Sequence, residues 1–72
     1  MADSRIKLGQ QVTVRHGTGT ISHAELCSVA RDELFFSHDQ EEIDSYDGLV
    51  RYAVTIDNVN YYYTKRQLEE TT

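Results

Sequence analysis

The stretch LVRYAVTIDNVNYYYT, residues 49–64, constrains the fold of this chain more than any other. Apolar and aromatic residues alternate with polar ones before Asp57 and again after Asn58. A period of two is typical of β-strands with one buried face. Asp57 and Asn58 tolerate the left-handed backbone of a two-residue turn, so we predict a β-hairpin. Its predicted core-facing pairs are Ile56 with Val59, Val54 with Tyr61 and Tyr52 with Tyr63, while Tyr62 lies beside Ala53 on the other face. A four-residue turn would shift the pairs but keep the same residues on each face.

The residues that follow the hairpin, TKRQ at 64–67, match a capping box. In this motif the Thr64 hydroxyl accepts a hydrogen bond from the Gln67 amide, and the Gln67 side chain reaches back to the Thr64 amide. We therefore predict a short helical turn at the C-terminal end. Leu68 is the apolar residue of that turn and is expected to close one end of the core.

The glycine-containing stretch VRHGTGTISH, residues 14–23, is either a reactive loop or a corner in a sheet. Val12 and Val14 alternate with polar neighbours, and Ile21 resumes the pattern after Gly17 and Gly19. A phosphate-binding loop would lead into a helix with a lysine, whereas HGTGTI leads into β-branched residues. Glycine is common where a chain reverses between strands. We predict a strand corner at Gly17 and Gly19.

The middle segment, residues 23–48, has two interpretations. Ser22 and Glu25 fit a capping box, and apolar residues follow at helical spacing: Leu26, Val29, Ala30 and Leu34. This pattern favours a helix from about His23 to Phe35. The alternative is an extended strand at ELFF, because the period of a short apolar run does not decide between the two. The following HDQEEIDSYDG is predicted to be an exposed acidic loop.

The order of strand, glycine corner, strand, insertion, tyrosine-rich hairpin and helical turn resembles the small SH3-like barrels of the KOW and Tudor type. The residues that carry the resemblance are GQQVTVRHGTGTI, YAVTIDNVNYYY and KRQLEE. It implies a mainly β single domain over residues 1–72, a small SH3-like barrel with a helical or irregular insertion at about 23–48 and a short C-terminal helical turn. It also implies a non-enzymatic binding module, although a fold does not by itself choose a ligand. Methyl-lysine recognition is not carried over, because the tyrosines at 52, 61 and 63 are expected in the core.

Metal-binding and catalytic patterns are weak. The soft metal ligands are His16, His23, Cys27 and His38. His23 and Cys27 would share one face of the predicted helix, but their spacing does not complete a zinc site. Nothing supplies the orienting group or oxyanion site that a Cys27 nucleophile needs. An EF-hand loop that starts at Asp39 fails, since Ile43 and Asp44 stand at its fifth and sixth positions. We expect no metal site, no cofactor and no enzyme activity.

The net charge of −5 is concentrated in residues 23–48, where eight carboxylates stand against Arg31 alone. Such a charge run usually keeps a small protein soluble. It can also occupy a basic groove built for phosphates, a mode that small acidic proteins of phages and other mobile elements use. The predicted partner-binding residues are Asp39, Glu41, Glu42, Asp44 and Asp47, with the aromatic residues Tyr46 and Tyr62.

These observations favour a non-enzymatic module that binds a protein partner through its acidic surface. Its most concrete form is a phage or mobile-element inhibitor of a nucleic-acid-handling protein. One alternative is nucleic-acid binding, which would require six basic side chains to cluster: Arg5, Lys7, Arg15, Arg51, Lys65 and Arg66. The other is a structural homodimer subunit. The lone Cys27 and the lack of a long apolar run predict a cytoplasmic protein without membrane contact.

Overall fold

The computed structural model of the chain describes residues 6–28 and 30–71. Five strands form one antiparallel sheet: β1 (Gln11–Val14), β2 (Gly17–Ser28), β3 (Glu33–Ser37), β4 (Leu49–Ile56) and β5 (Val59–Thr64). Two short helices accompany it: α1 (Gln40–Ser45) and α2 (Lys65–Thr71). The predicted mainly β class is confirmed. The strand order is β1-β2-β4-β5, with β3 also paired to β2, and over the described residues the sheet is not closed into a barrel.

The predicted C-terminal hairpin is confirmed together with its two-residue turn. Asp57 and Asn58 have φ angles of 50° and 68°, the left-handed values that a type I′ turn requires at both central positions. The observed pairs are Ile56 with Val59, Val54 with Tyr61, Tyr52 with Tyr63 and Ala53 with Tyr62. The sequence-based register is therefore correct in full.

The capping box after this hairpin is also confirmed. The Gln67 N–H donates to Thr64 Oγ1 at 3.1 Å, and the Thr64 N–H donates to Gln67 Oε1 at 2.8 Å. These reciprocal bonds satisfy two backbone donors at the start of α2 that would otherwise lack a helical partner. Leu68 of α2 is fully buried, as predicted.

The connection between β1 and β2 is a tight turn in which Val14 pairs with Gly17. Gly17 has a φ of 133°, which residues with a Cβ rarely adopt. The predicted corner is thus confirmed at Gly17. Gly19 instead lies inside β2, where a Cβ would collide with the Thr55 carbonyl oxygen of β4. Its role is to allow the close approach of two backbones.

The predicted helix from about His23 to Phe35 is wrong. β2 continues to Ser28 and β3 begins at Glu33, so the alternative extended interpretation of ELFF is correct. The two strands pair antiparallel, with Leu26 opposite Phe35. Residues 23–28 and 33–37 of the predicted insertion therefore belong to the sheet.

β2 contains a β-bulge, and the residues that suggested a helix lie after it. The register of β2 against β4 shifts between Ile21 and His23. An extra residue reverses the alternation of a strand, so Ile21 faces the core before the bulge, and Ala24 and Leu26 face it afterwards. Of the residues at helical spacing, only Leu26 is shown to face the core. Ala30 is exposed in the turn between β2 and β3, Leu34 is exposed on β3, and Val29 lies outside the described residues.

The predicted acidic loop contains the helix α1, which is a second correction. Asp39 caps it, with the carboxylate accepting a hydrogen bond from the Glu41 N–H at 3.0 Å. Ile43 is buried in the core. A six-residue helix with one apolar residue shows no apolar period in the sequence. The acidic composition was therefore the visible feature, and it favoured a loop.

The core lies on one side of the sheet, here called the core face, and the opposite side is the outer face. The largest fully buried side chains are Tyr52, Ile6, Ile21, Leu26, Leu68 and Val54. Ile43 of α1 and Leu68 of α2 belong to the same cluster, so both helices cover the core face. Burial raises the pKa of the Tyr52 phenol, although a hydrogen bond with the Gln40 side chain opposes this rise.

Candidate functional site

Side chains of β2, β3, β4 and β5 form the outer face. Three cross-strand rows define its centre: His23–Ala53–Tyr62, Phe36–Glu25–Arg51 and Leu34–Cys27–Leu49. Because α1 and α2 pack on the core face, neither helix covers these rows. The chemistry of the rows therefore decides what this face can bind.

Four large apolar or aromatic side chains are exposed in these rows and are named here the outer patch: Leu34, Phe36, Leu49 and Tyr62. Leu34 and Phe36 are the most exposed, at 61 % and 54 %. The half-buried Cys27 lies between Leu34 and Leu49 and joins them into one apolar row. Single exposed apolar residues are ordinary, but contiguous patches mark contact sites.

His23 holds the aromatic part of the outer patch in place. Its Nε2 lies 3.0 Å from the Tyr62 hydroxyl and its Nδ1 lies 3.1 Å from the Ser22 hydroxyl. The Phe36 ring meets the imidazole edge-on, with centroids 5.5 Å apart, and the His38 ring lies at 5.2 Å. These contacts fix the positions of Phe36 and Tyr62 before any ligand arrives.

The pKa of His23 provides a prediction for this cluster. Burial first, and the charge of His38 second, lower the pKa of His23 from its ordinary 6.5. Replacing His38 by glutamine removes only the second cause, so we expect this pKa to rise while staying below 6.5. The depressed value also means that the imidazole contributes stability above pH 6.5 that is lost as the pH falls through the folded-state pKa. NMR titration of the His23 ring protons measures the shift, and a pKa unchanged by His38→Gln would exclude the charge effect.

The outer face becomes polar towards β1. Hydroxyl groups pair across strands, Thr13 with Thr18 at 2.9 Å and Ser22 with Thr55 at 2.9 Å. The Thr55 hydroxyl also donates to Asn60 Oδ1 at 2.7 Å. The bulge in β2 separates this hydroxyl-rich part from the outer patch, so the apolar surface is confined to one end of the sheet.

Four of the predicted carboxylates are gathered around α1 and form what is named here the acidic surface: Asp39, Glu41, Glu42 and Asp44. Asp47 follows the helix and instead lines a groove of about 750 Å³ with Gly48 and the turn after β2. The structure thus brings four of the five predicted carboxylates together.

Three of these carboxylates also have partners within the chain. Asp39 caps α1, and Glu42 Oε1 accepts a hydrogen bond from the Ser37 hydroxyl at 2.6 Å. Asp44 accepts from the Gln40 side chain at 2.8 Å and lies 3.7 Å from Lys7 Nζ. The acidic surface is therefore partly a structural feature that positions α1.

The two predicted aromatic residues lie in different places. Tyr46 is half-buried, packs against the core and meets Phe35 edge-on at 5.7 Å. Tyr62 lies on the outer face, whereas α1 and its carboxylates belong to the core face. The predicted partner-binding set is consequently divided between the two sides of the sheet.

Sequence reasoning missed the outer-patch residues Leu34, Phe36 and Leu49. A signal was present, because LFF is an uninterrupted apolar run in what became a strand. Consecutive side chains of a strand point to opposite faces, so such a run makes both faces apolar. With the core on one side, the other apolar face must meet solvent or a partner.

Of the basic residues considered for nucleic-acid binding, Lys65 and Arg66 are neighbours on α2 and Arg51 lies on β4, whereas Lys7 precedes β1 and Arg15 follows it. Arg5 lies outside the described residues. Three have a carboxylate 3.6–3.7 Å away: Lys7 has Asp44, Arg51 has Glu25 and Arg66 has Glu70. A nearby carboxylate reduces the attraction of a cation for phosphate. This arrangement gives the nucleic-acid alternative little support.

The histidines are divided between two places. His16 stacks on Tyr61 with centroids 4.0 Å apart and lies 2.6 Å from the Tyr63 hydroxyl, whereas His23 and His38 lie at the outer patch. In the described parts of the chain, no three His, Cys, Asp or Glu side chains are grouped to hold a metal ion. Among residues 6–28 and 30–71 no helix has the length and apolar character to cross a membrane.

No protein-family model, curated protein or solved structure matches this chain. The resemblance to SH3-like barrels therefore depends on the residues that suggested it and stays a prediction. The surfaces of the sheet remain as the basis for a functional conclusion.

Proposed function

We propose that this chain is a protein-interaction module without catalytic chemistry of its own. The observation that carries the proposal is the outer patch, whose members are exposed together on a face that neither helix covers. Apolar surface in water costs about 25 cal/mol per Å² relative to burial. A partner that covers the patch recovers this free energy, which is why such patches on small proteins mark interaction sites.

The outer patch is rigid and carries its own orienting charges. Its residues lie on strands, and His23 contacts both Phe36 and Tyr62. Glu25 and Arg51 form an ion pair at 3.7 Å between the apolar rows. A preorganised surface loses little conformational entropy on binding. The charge pair gives a partner a fixed orientation as well as affinity.

The acidic surface supports a second contact, with a basic protein. In its specific form the module is an inhibitor of the phage or mobile-element kind, and it occupies the phosphate-binding groove of a nucleic-acid-handling protein. What favours this form is the grouping of Asp39, Glu41, Glu42 and Asp44 around one exposed helix. The acidic surface lies on the core-face side of the sheet and the outer patch lies on the opposite side. A partner can therefore bind each surface at the same time. We assign the module to the cytoplasm, since Cys27 is a free thiol.

The test of the proposal is capture of partners from the native host by the tagged chain. We expect the double substitution Leu34→Asp and Phe36→Asp to lower capture at least about tenfold, since charged groups placed in an apolar contact lose the desolvation gain. Val59→Asp is the matched control, because Val59 is similarly exposed, at 48 %, but lies with Ile56 on the core-face side of the hairpin.

Thermal melting establishes first that all the variants are folded. Mass spectrometry then distinguishes a second copy of the chain from a different protein among the captured species. Equal recovery of every species by the wild type, the double variant and the control would contradict the proposal.

A further inference from the structure

We infer that the occupant of the outer patch is a second copy of this chain, packed face to face about a two-fold axis. The inference rests on the proposed function of the patch as a protein contact and names the partner. Three properties of the described residues support it. They are the self-complementary charges of the outer patch, the position of the acidic surface on the opposite side of the sheet, and the area of the outer face.

The outer patch is self-complementary in charge. Glu25 and Arg51 are neighbours on adjacent strands, with Glu25 Oε1 3.7 Å from Arg51 Nη1. In a two-fold interface the same surface meets itself with its direction reversed. With the axis between these two residues, each Glu25 faces the Arg51 of the other copy. Four charges of alternating sign then close the centre of the interface, and the apolar residues surround them.

The charge outside the patch fits a second copy better than a basic partner. The chain carries a net charge of −5, but the Glu25 and Arg51 pair is neutral. A strongly basic protein would be drawn to the acidic surface rather than to the outer patch. Face-to-face packing through the outer patch also leaves both acidic surfaces on the outside of the dimer. The mutual repulsion of the two copies is therefore small, because charges beyond a Debye length of about 8 Å are largely screened.

The dimensions of the chain also suit this arrangement. The described residues form a slab with extents of 33 × 31 × 19 Å, as expected for one sheet layer covered by helices. One broad side of this slab is large enough for a standard interface of about 800 Å² per partner. Two sheets pack face to face about 10 Å apart, so the two outer patches would form a second apolar layer over one end of each sheet. A chain of 72 residues gains from this layer, since a single core of that size is marginal.

A dimer formed by edge-to-edge pairing of β3 is the competing arrangement. It would bury Phe35 and Phe36 to a similar extent, because they lie on opposite faces of the same strand. It does not explain the exposure of Leu49 and Tyr62, which lie on β4 and β5. Leu49 is separated from β3 by the whole of β2, and a substitution there distinguishes the two arrangements.

The first experiment is sedimentation equilibrium of the untagged full chain from micromolar to millimolar concentration. We expect a reversible dimer. Leu49→Asp should weaken it by about 100-fold or more, because each dimer contains the substitution twice. Val59→Asp should leave the dimer unchanged. A wild-type chain that is monomeric throughout overturns the inference, and so does a dimer that Leu49→Asp leaves intact.

The second experiment exchanges charges and does not depend on the stability of an apolar variant. Glu25→Arg alone and Arg51→Glu alone each place like charges opposite one another in a face-to-face homodimer. Mixed in equal amounts, the two variants restore opposite charges at both contacts between the copies, while the pair within each chain stays like-charged. We expect each variant to be monomeric alone and the mixture to dimerise. A mixture no more associated than its components overturns the inference.

The two proposals can fail separately. Suppose that the wild-type chain is monomeric, and that it captures a different protein which the Leu34→Asp and Phe36→Asp double variant does not capture. A second copy is then excluded as the occupant of the outer patch, but the proposed interaction module is supported. If the chain dimerises through another surface and the outer patch affects no captured protein, both proposals are overturned.

Discussion

Tyr52→Ala is expected to destabilise the fold by about 3 kcal/mol or more, the usual cost of truncating a large aromatic side chain in a core. Tyr52 is only 1 % exposed, lies on the central strand β4 and is the largest fully buried side chain. Alanine would leave a cavity in the core beside α1, whose Gln40 and Asp44 side chains influence the Tyr52 phenol. Urea denaturation followed by circular dichroism measures the loss.

Tyr62→Ala is the matched control for this prediction. Tyr62 is on the adjacent strand and pairs with Ala53, the next residue after Tyr52, but it lies on the outer face and is 38 % exposed. Its loss removes one hydrogen bond with His23 and is expected to cost about 1 kcal/mol. Both variants are to be measured at low protein concentration, because dimerisation would add a concentration-dependent term to the stability. Equal destabilisation would contradict the assignment of the two faces.

The hairpin and the start of α2 could be predicted because their determinants are local. The left-handed preference of Asp57 and Asn58, the alternation on either side of them and the Thr64–Gln67 capping box all act within a few residues. Each determines a backbone conformation without reference to the rest of the molecule. These elements agreed with the structure down to the register of the strands.

The middle of the chain could not be predicted because its conformation depends on distant residues. The bulge between Ile21 and His23 is defined by pairing with β4, about thirty positions further along the chain. The pairing of β2 with β3, Leu26 opposite Phe35, is likewise absent from the local pattern, in which Leu26, Val29, Ala30 and Leu34 stand at helical spacing. The outer patch was missed for a related reason, since the sequence shows that Leu34 and Phe36 are apolar but not which face is covered.

The acidic residues were identified correctly as a group, but their roles within the fold were not. Composition shows a charge run and no more. The structure gives both Asp39 and Glu42 internal hydrogen bonds: Asp39 caps α1 through the Glu41 N–H, and Glu42 accepts from Ser37, which joins the helix to the end of β3. A test of the acidic surface must therefore remove charge while keeping these bonds.

Changing all five predicted carboxylates to amides meets that requirement: Asp39→Asn, Glu41→Gln, Glu42→Gln, Asp44→Asn and Asp47→Asn. Asparagine is as good an N-cap as aspartate, and the amide oxygen of Gln at position 42 can still accept from Ser37. The pair of Lys7 and Asp44 is exposed on both sides and contributes about 0–1 kcal/mol. Loss of the favourable interaction of acidic groups with the first turn is similarly small and is offset by relief of their mutual repulsion. The melting temperature should be unchanged or slightly raised.

Binding of a basic protein partner, in contrast, should collapse in the amide variant. Clustered carboxylates steer a positively charged groove into contact, so their removal slows association more than it speeds dissociation. The wild-type association rate should also fall as salt is added, because the Debye length shrinks from about 10 Å at 0.1 M to about 3 Å at 1 M. Stopped-flow or surface-plasmon-resonance kinetics of a partner captured from the host measure both effects. A solvated surface without a binding role predicts neither of them. An amide variant that binds its partner with unchanged affinity and salt dependence would exclude the inhibitor form of the proposal. It would not affect the outer patch or the face-to-face dimer, which the sedimentation and charge-exchange experiments test separately.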